Sequence, residues 1–416
     1  MTAATQTGRI AQLDIIRGVA VMGILAMNIV AFAMPFQAYM NPLAYGMESG
    51  ADLASWAFSF VFIDGKMRGL FSFLFGASML LVTERAEAAG QSPASVHFSR
   101  MAWLLLFGLL HFYFIWFGDI LSGYAMMGIV AYFFRGLSAR RLVLLGGLLV
   151  VAQLLVYLGL AVSVAYLAQV IARPAPSVDS LRQWQELQDQ FGILSGEPLR
   201  QKLALFRGPW SGVVHDRLEG AAEPFTSLFY FGWETLGYML FGMAALKTGF
   251  FRGKWRPLDY FKVAVVGLAV TVPAYALLAW IVASNGFSMP MILTIVLAAT
   301  VPFRPLMVMA YAALIILLAS RRGPLVERIG AAGRAAFTNY LGTSILMTSL
   351  FYGYGAGLYG TMSRIELWLV VFAMWALMLA WSKPWLDRFR YGPFEWLWRS
   401  LARGRIEPMR RRTAAA

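Results

Sequence analysis

The stretch LDIIRGVAVMGILAMNIVAFA, Leu13–Ala33, decides the class of this chain. Its two charged residues, Asp14 and Arg17, sit near its start, and no charge follows from Gly18 to Ala33. About twenty apolar residues at 1.5 Å each reach the ~30 Å needed to cross a bilayer core. Comparable runs recur along the 416 residues, of which 59% are hydrophobic and 13% charged. Soluble domains carry roughly a quarter charged residues. The chain therefore reads as an all-α, polytopic membrane protein. A disordered chain, a disulfide scaffold and a simple globular enzyme are excluded. Arg9 and Ala31-Phe32-Ala33 imitate a secretory signal, but Asp14 and Arg17 interrupt it, so a retained first span is expected.

Working outward, the next apolar region, Leu53 to Val82, is too long for one perpendicular crossing and is interrupted by Asp64-Gly65-Lys66-Met67-Arg68. A tilted, broken or partly re-entrant helix is expected there. Met101–Phe117 and Ile120–Phe134 follow, joined by a Gly118-Asp119 corner, and a fifth span starts after Arg140-Arg141 and runs to Ile171. Residues 173–224 form the one sizeable extramembrane segment, where Leu181, Trp184, Leu187 and Phe191 recur at helical spacing. Phe225–Leu246, a span ending near Ala283, the overlong Ser288–Ser320 with its Pro302-Phe303-Arg304-Pro305 break, Ala335–Phe351 and Ile365–Lys383 complete the series.

The chain divides accordingly into a transmembrane half (1–172), the 173–224 segment, a second half (225–386) and a basic tail (387–416). Counting 53–82 and 288–320 once each puts every strongly basic loop on one side. That predicts about ten spans with both termini cytoplasmic, in a bacterial inner (plasma) membrane. Two crossings by 288–320 would reverse the tail. The net charge of +14 is explained by these loops and by anionic lipid headgroups rather than by nucleic acid. The absence of cysteine removes disulfides, thiolate metal sites and thioester nucleophiles. No P-loop, HExxH or metal-spaced cluster occurs, so no metal is expected.

Ionisable groups within spans are costly and mark interiors, partners or cavities. Here they are Asp14, Arg17, Asp64, Lys66, Arg68, His111, Asp119, Glu234 and Arg304. His111 lies about ten residues into its expected span, near midplane, and Glu234 at a similar depth. An imidazole oriented by a carboxylate is what general-base chemistry needs; the plainer alternative is a neutral histidine bonded to a carbonyl or a neighbouring span. Asp119, eight residues on, would lie ~12 Å from His111 along one continuous helix, out of contact. A helix-capping role suits it better. Asp14 and Arg17 are one turn apart and form a neutral anchor, or Arg17 offers its guanidinium to a phosphate or carboxylate. Lys66 and Arg68 form a second cationic point, and Arg304 snorkels or lines a pore.

Several segments then carry a resemblance: Leu13-Asp14-Ile15-Ile16-Arg17-Gly18-Val19-Ala20 with Asn28-Ile29, the Gly65–Gly76 stretch, Gly108-Leu109-Leu110-His111 with Gly118-Asp119-Ile120-Leu121, and Gly392-Pro393-Phe394-Glu395-Trp396-Leu397-Trp398-Arg399. Together they resemble the YeiB-like integral membrane family across nearly the whole chain. The first half is similar to the transmembrane acyltransferase group that includes heparan-α-glucosaminide N-acetyltransferase. The Leu-Asp-x-x-Arg-Gly opening resembles bacterial membrane O-acyltransferases, in which a histidine late in the first span is usual; Asn28 stands here instead.

The resemblance implies transfer of an acyl group from a cytosolic acyl-CoA, such as acetyl-CoA, to a hydroxyl or amine on an envelope sugar, lipid or small molecule. His111 would be the base, Glu234 its orienting partner and Asn28 an oxyanion donor. Arg17, with Lys66 and Arg68, would hold the donor's phosphates. A transporter or lipid flippase using the buried charges as a substrate or proton path is the alternative. Small residues such as Gly237 and Gly242 permit close helix contacts, within a protomer or in a homodimer.

Overall fold

The computed structural model describes residues 10–321 and 323–411; Arg9, Arg322 and Arg412 of the basic termini and loops fall outside them. The described residues are all-helical, with no strand. The Leu13 stretch forms α1 (Ala11–Ala33), followed by the short α2 (Gln37–Met40) and by α3 (Gly50–Phe62), which a Ser49–Asp52 capping box opens. The chain breaks at Ile63-Asp64-Gly65, where Gly65 takes a φ of 73° that a side chain would resist, and restarts as α4 (Lys66–Ala88). α5 (Pro93–Phe114) begins with a Ser92 cap and a first-turn proline. α6 (Leu121–Tyr132) and α7 (Ala139–Ile171) lead to the extramembrane segment, which holds α8 (Val178–Phe191), α9 (Gly196–Arg207), α10 (Trp210–Glu219) and α11 (Glu223–Thr226).

The second half contains α12 (Leu228–Lys247), α13 (Pro257–Ser284) and α14 (Met289–Ile292), which runs into a π-helical turn at Leu293–Ala299. α15 (Arg304–Ala319), α16 (Pro324–Arg334), α17 (Ala336–Phe351), α18 (Leu367–Arg388) and α19 (Pro393–Ala402) follow. Among the described residues, six segments are long and apolar enough to cross a membrane: α1, the α3–α4 pair taken together, α5, α7, α13 and α18. A seventh is the pair Met289–Ala299 and α15, bent by 52° at the proline-flanked break. Three expected spans are not among these: α6 and α17 are only 12 and 16 residues long, and α12, at 20 residues, is not apolar enough.

Burial separates the helices into two layers. In α1, 72% of the most apolar stretch is buried, against 28% in α7 and 22% in α13. Leu144, Leu148 and Leu155 of α7 and Val266 and Leu277 of α13 face outward. Helices apolar on all sides with one side uncovered suit a lipid surround. Inside, α4 and α12 approach so closely that a Cβ on Gly76 would overlap the Met239 backbone, and one on Gly242 the Phe73 carbonyl. These small residues thus serve contacts within the chain. The expected amphipathic helix is α8, whose Trp184, Leu187 and Phe191 rest on Ala161 and Val164 of α7. The tail also docks: the Glu395 carboxylate on α19 accepts from the Phe337 and Thr338 N–H groups at 2.6 and 3.0 Å, capping α17.

Candidate functional site

The expected polar residues gather into two separate centres. The first is at the end of α5. Because α5 starts at Pro93, His111 falls in its last turn, about 27 Å from the start of the helix. The helix ends at Phe114, and the Ile115 and Trp116 N–H groups both fold back onto the His111 carbonyl. That turn returns Asp119 to the imidazole, with His111 Nδ1 2.9 Å from Asp119 Oδ1. Eight residues would keep the two apart on a continuous helix, but α5 stops in between. Asp119 caps as well: its Oδ2 accepts from the Ser122 N–H at 2.8 Å, at the start of α6.

Gly108 makes this corner possible, since a Cβ there would collide with the Ser122 backbone. A carboxylate on Nδ1 selects the tautomer with the proton on that nitrogen and leaves Nε2 as an acceptor. Nε2 is buried and has no hydrogen-bond partner among the described residues; the same holds for the neighbouring Trp116 Nε1. The Trp116 ring centre is 6.3 Å from the imidazole and that of Tyr340 5.2 Å. Phe32 of α1 stacks on Trp116 at 3.8 Å, and Asn28 is buried one turn earlier on α1.

The second centre surrounds Glu234. This carboxylate does not orient His111; it is bound by Arg304 Nη1 at 2.7 and 2.9 Å, by Arg68 Nη2 at 3.0 Å and by the Tyr238 hydroxyl at 3.0 Å. Arg304 Nη2 also donates to Thr300 Oγ1 and to the Leu297 carbonyl, which the π-helical turn frees. Gln153 of α7 accepts from the Glu234 N–H. A Cβ on Gly65 would touch the Arg304 side chain, so the two broken helices meet here. Lys66 is fully enclosed, donating to the Phe60 carbonyl with its ammonium 3.4 Å from the Tyr275 ring centre. Asp64 occupies the break itself.

Arg17 stands apart from both. It pairs with Asp14 at 3.1 Å and donates to Ser78 Oγ at 2.8 Å, and about a quarter of its side chain is exposed. Ser78 is ten residues beyond Arg68 on α4, about 15 Å along the axis. Arg17, Lys66 and Arg68 therefore do not form one cationic site. Beside Arg17 opens a cleft of about 730 Å³ lined by Asp14, Ile15, Trp255, Arg334 and Lys383, among others.

Comparison with known proteins then places the chain. It is 31% identical to "Uncharacterized protein YeiB" of Escherichia coli over 405 residues, covering 94% of this chain and 95% of that one. The chain belongs to the YeiB family. A second YeiB-family relative, "Uncharacterized protein YxaH" of Bacillus subtilis, is also 31% identical, with 97% of each chain covered. A "39.9 kDa protein in amylase 3'region" of Bacillus acidopullulyticus, described as uncharacterized, is 23% identical over 96% of each. The family model described as "Protein of unknown function (DUF418)" matches residues 245–405. No solved structure matches.

The sequence reading of this YeiB-family member missed the partners that complete each centre: Tyr238, Gln153 and Thr300 around Glu234, and Trp116 and Tyr340 around His111. Tyr238 alone had a signal, one turn from Glu234 on the same face.

Proposed function

We propose that the chain is a membrane-embedded acyltransferase in the inner membrane, with His111 as general base and Asp119 as its orienting carboxylate. One observation carries this reading: a buried imidazole bonded to a carboxylate on Nδ1 with Nε2 unpartnered. The acceptor's hydroxyl or amine proton passes to Nε2 as its oxygen or nitrogen attacks the thioester carbonyl of acyl-CoA. The carbon–sulfur bond breaks, and the leaving thiolate takes the proton back from the imidazolium. Trp116 Nε1 and Asn28 supply donors to the oxyanion.

Arg17 meets the donor's phosphates at the cytosolic end. It is fifteen residues before Phe32 on α1, about 22 Å away. That separation demands a donor with a long arm between phosphate and acyl carbon, which suits acyl-CoA and not a short acyl phosphate. Calorimetry on the purified protein should give saturable acetyl-CoA binding that weakens about tenfold in Arg17→Ala, the loss of one charge-assisted contact. Thiol release should fall by about 10²–10⁴ in His111→Ala, with the protein still folded. No binding of any CoA species by folded protein sinks the proposal. That result would favour transport, a reading supported by the meeting of two broken helices around buried charges.

A further inference from the structure

The extramembrane helices lie over the α5 end. Trp210 Nε1 donates to the Phe114 carbonyl at 2.9 Å, the Tyr113 hydroxyl donates to the Ala221 carbonyl, and Phe206 stacks on Tyr359 at 4.7 Å and meets Tyr352 edge-on at 5.0 Å. Phe206 also lies 6.4 Å from Phe117, next to Trp116. Arg217 of α10 is 5% exposed although it belongs to the segment between the two halves of the bundle. Its Nη1 reaches the Tyr113 carbonyl at 3.5 Å, two residues after His111.

The other edge of the guanidinium is different. Nε and Nη2, the two donors that point side by side, are buried without a hydrogen-bond partner among the described residues. The Tyr352 hydroxyl, also buried and short of a well-formed hydrogen bond, stands next to the guanidinium and interacts with it. A buried cation with two unmet donors is costly. Burial accordingly pushes the Arg217 guanidinium below its ordinary value. The side-on fork of an arginine matches two oxygens of one carboxylate or phosphate. Tyr354, partly exposed, stands 5.7 Å from Tyr352.

We infer that Arg217 and Tyr352 form an oxyanion site that holds a carboxylate or phosphate of the acceptor, beside the His111 end of α5. The assignment of that anion to the acceptor rests on the acyl-transfer reading; the binding site does not. An acidic sugar and a phosphorylated glycerol share the needed chemistry, whether free or as part of a lipid headgroup.

The test is thermal unfolding and calorimetry of the full chain without acyl-CoA. The probes are glucuronate and sn-glycerol 3-phosphate, with glucose and glycerol as uncharged controls. Nanodiscs of phosphatidylglycerol and of phosphatidylcholine separate a headgroup from a free ligand. Saturable binding of a charged probe, or a higher Tm in the anionic nanodisc alone, is expected. Arg217→Gln should abolish it, Arg217→Lys should keep the fold and lose at least tenfold in affinity with the fork, and Tyr352→Phe should lose about tenfold. Binding that persists in folded Arg217→Gln or Arg217→Lys at wild-type strength overturns the site. So does equal response to charged and uncharged probes, or to neither. His111→Ala should bind the anion normally, which separates failure of this site from failure of the acyl-transfer reading.

Discussion

The His111 centre and the Glu234 centre are both polar and both enclosed, yet they differ in what is left over. Around Glu234, two arginines and a tyrosine hydroxyl converge on one carboxylate, and Arg304 spends its second nitrogen on Thr300 and Leu297. Around His111, the carboxylate is satisfied by the imidazole and the Ser122 N–H, while Nε2 has no partner among the described residues. A buried network with all members bonded rigidifies the fold. A buried titratable atom without a partner is available for a reacting group. Under the acyl-transfer proposal, the Glu234 centre holds the fold and the His111 centre carries the chemistry.

The largest expected effect is on stability at the Glu234 centre. Glu234→Ala leaves Arg68 and Arg304 facing each other without their anion, and should destabilise by about 3–5 kcal/mol, read by thermal unfolding in detergent. If His111→Ala destabilises as much, the division of labour between the centres is lost. Next, Asp119→Asn keeps the shape of the α5–α6 corner but removes the charge that orients and supports the imidazole. Thiol release should fall by about 10²-fold, within the range of general-base contributions, while the Tm moves only a few degrees. An Asp119→Asn protein with wild-type turnover would make the carboxylate a cap and nothing more. The smallest effect is Tyr238→Phe, which deletes one hydrogen bond to a carboxylate that keeps two cations. It should cost about 1.5 kcal/mol in stability and leave turnover unchanged.

Legibility differed between the centres for a reason. The breaks at Asp64-Gly65 and at Pro302-Phe303-Arg304-Pro305 were visible in the sequence because charge, glycine and proline interrupt apolar runs, and both are breaks in the structure. That they meet was not visible, since Gly65 and Arg304 are separated by most of the chain. His111 was singled out as an ionisable residue in an apolar run. Its partner was misassigned because linear spacing converts to distance only while a helix continues, and nothing in the aromatic run after His111 announces the stop at Phe114. Arg217 lies in a segment of near-balanced charge, where arginines are ordinarily solvated; its burial comes from packing at the Tyr113 carbonyl and beside Tyr352.

By itself, then, the sequence determined the membrane class, the all-helical fold and the short roster of charged groups within it. Those follow from composition and run length, which are properties of single segments against a lipid or aqueous surround. The tertiary structure alone decided the pairings: Asp119 with His111, Glu234 with Arg304 and Arg68, Tyr352 beside Arg217. Pairing depends on where helices stop, how they rotate and which residues reach the same depth. Those quantities are set by packing between segments distant in the chain.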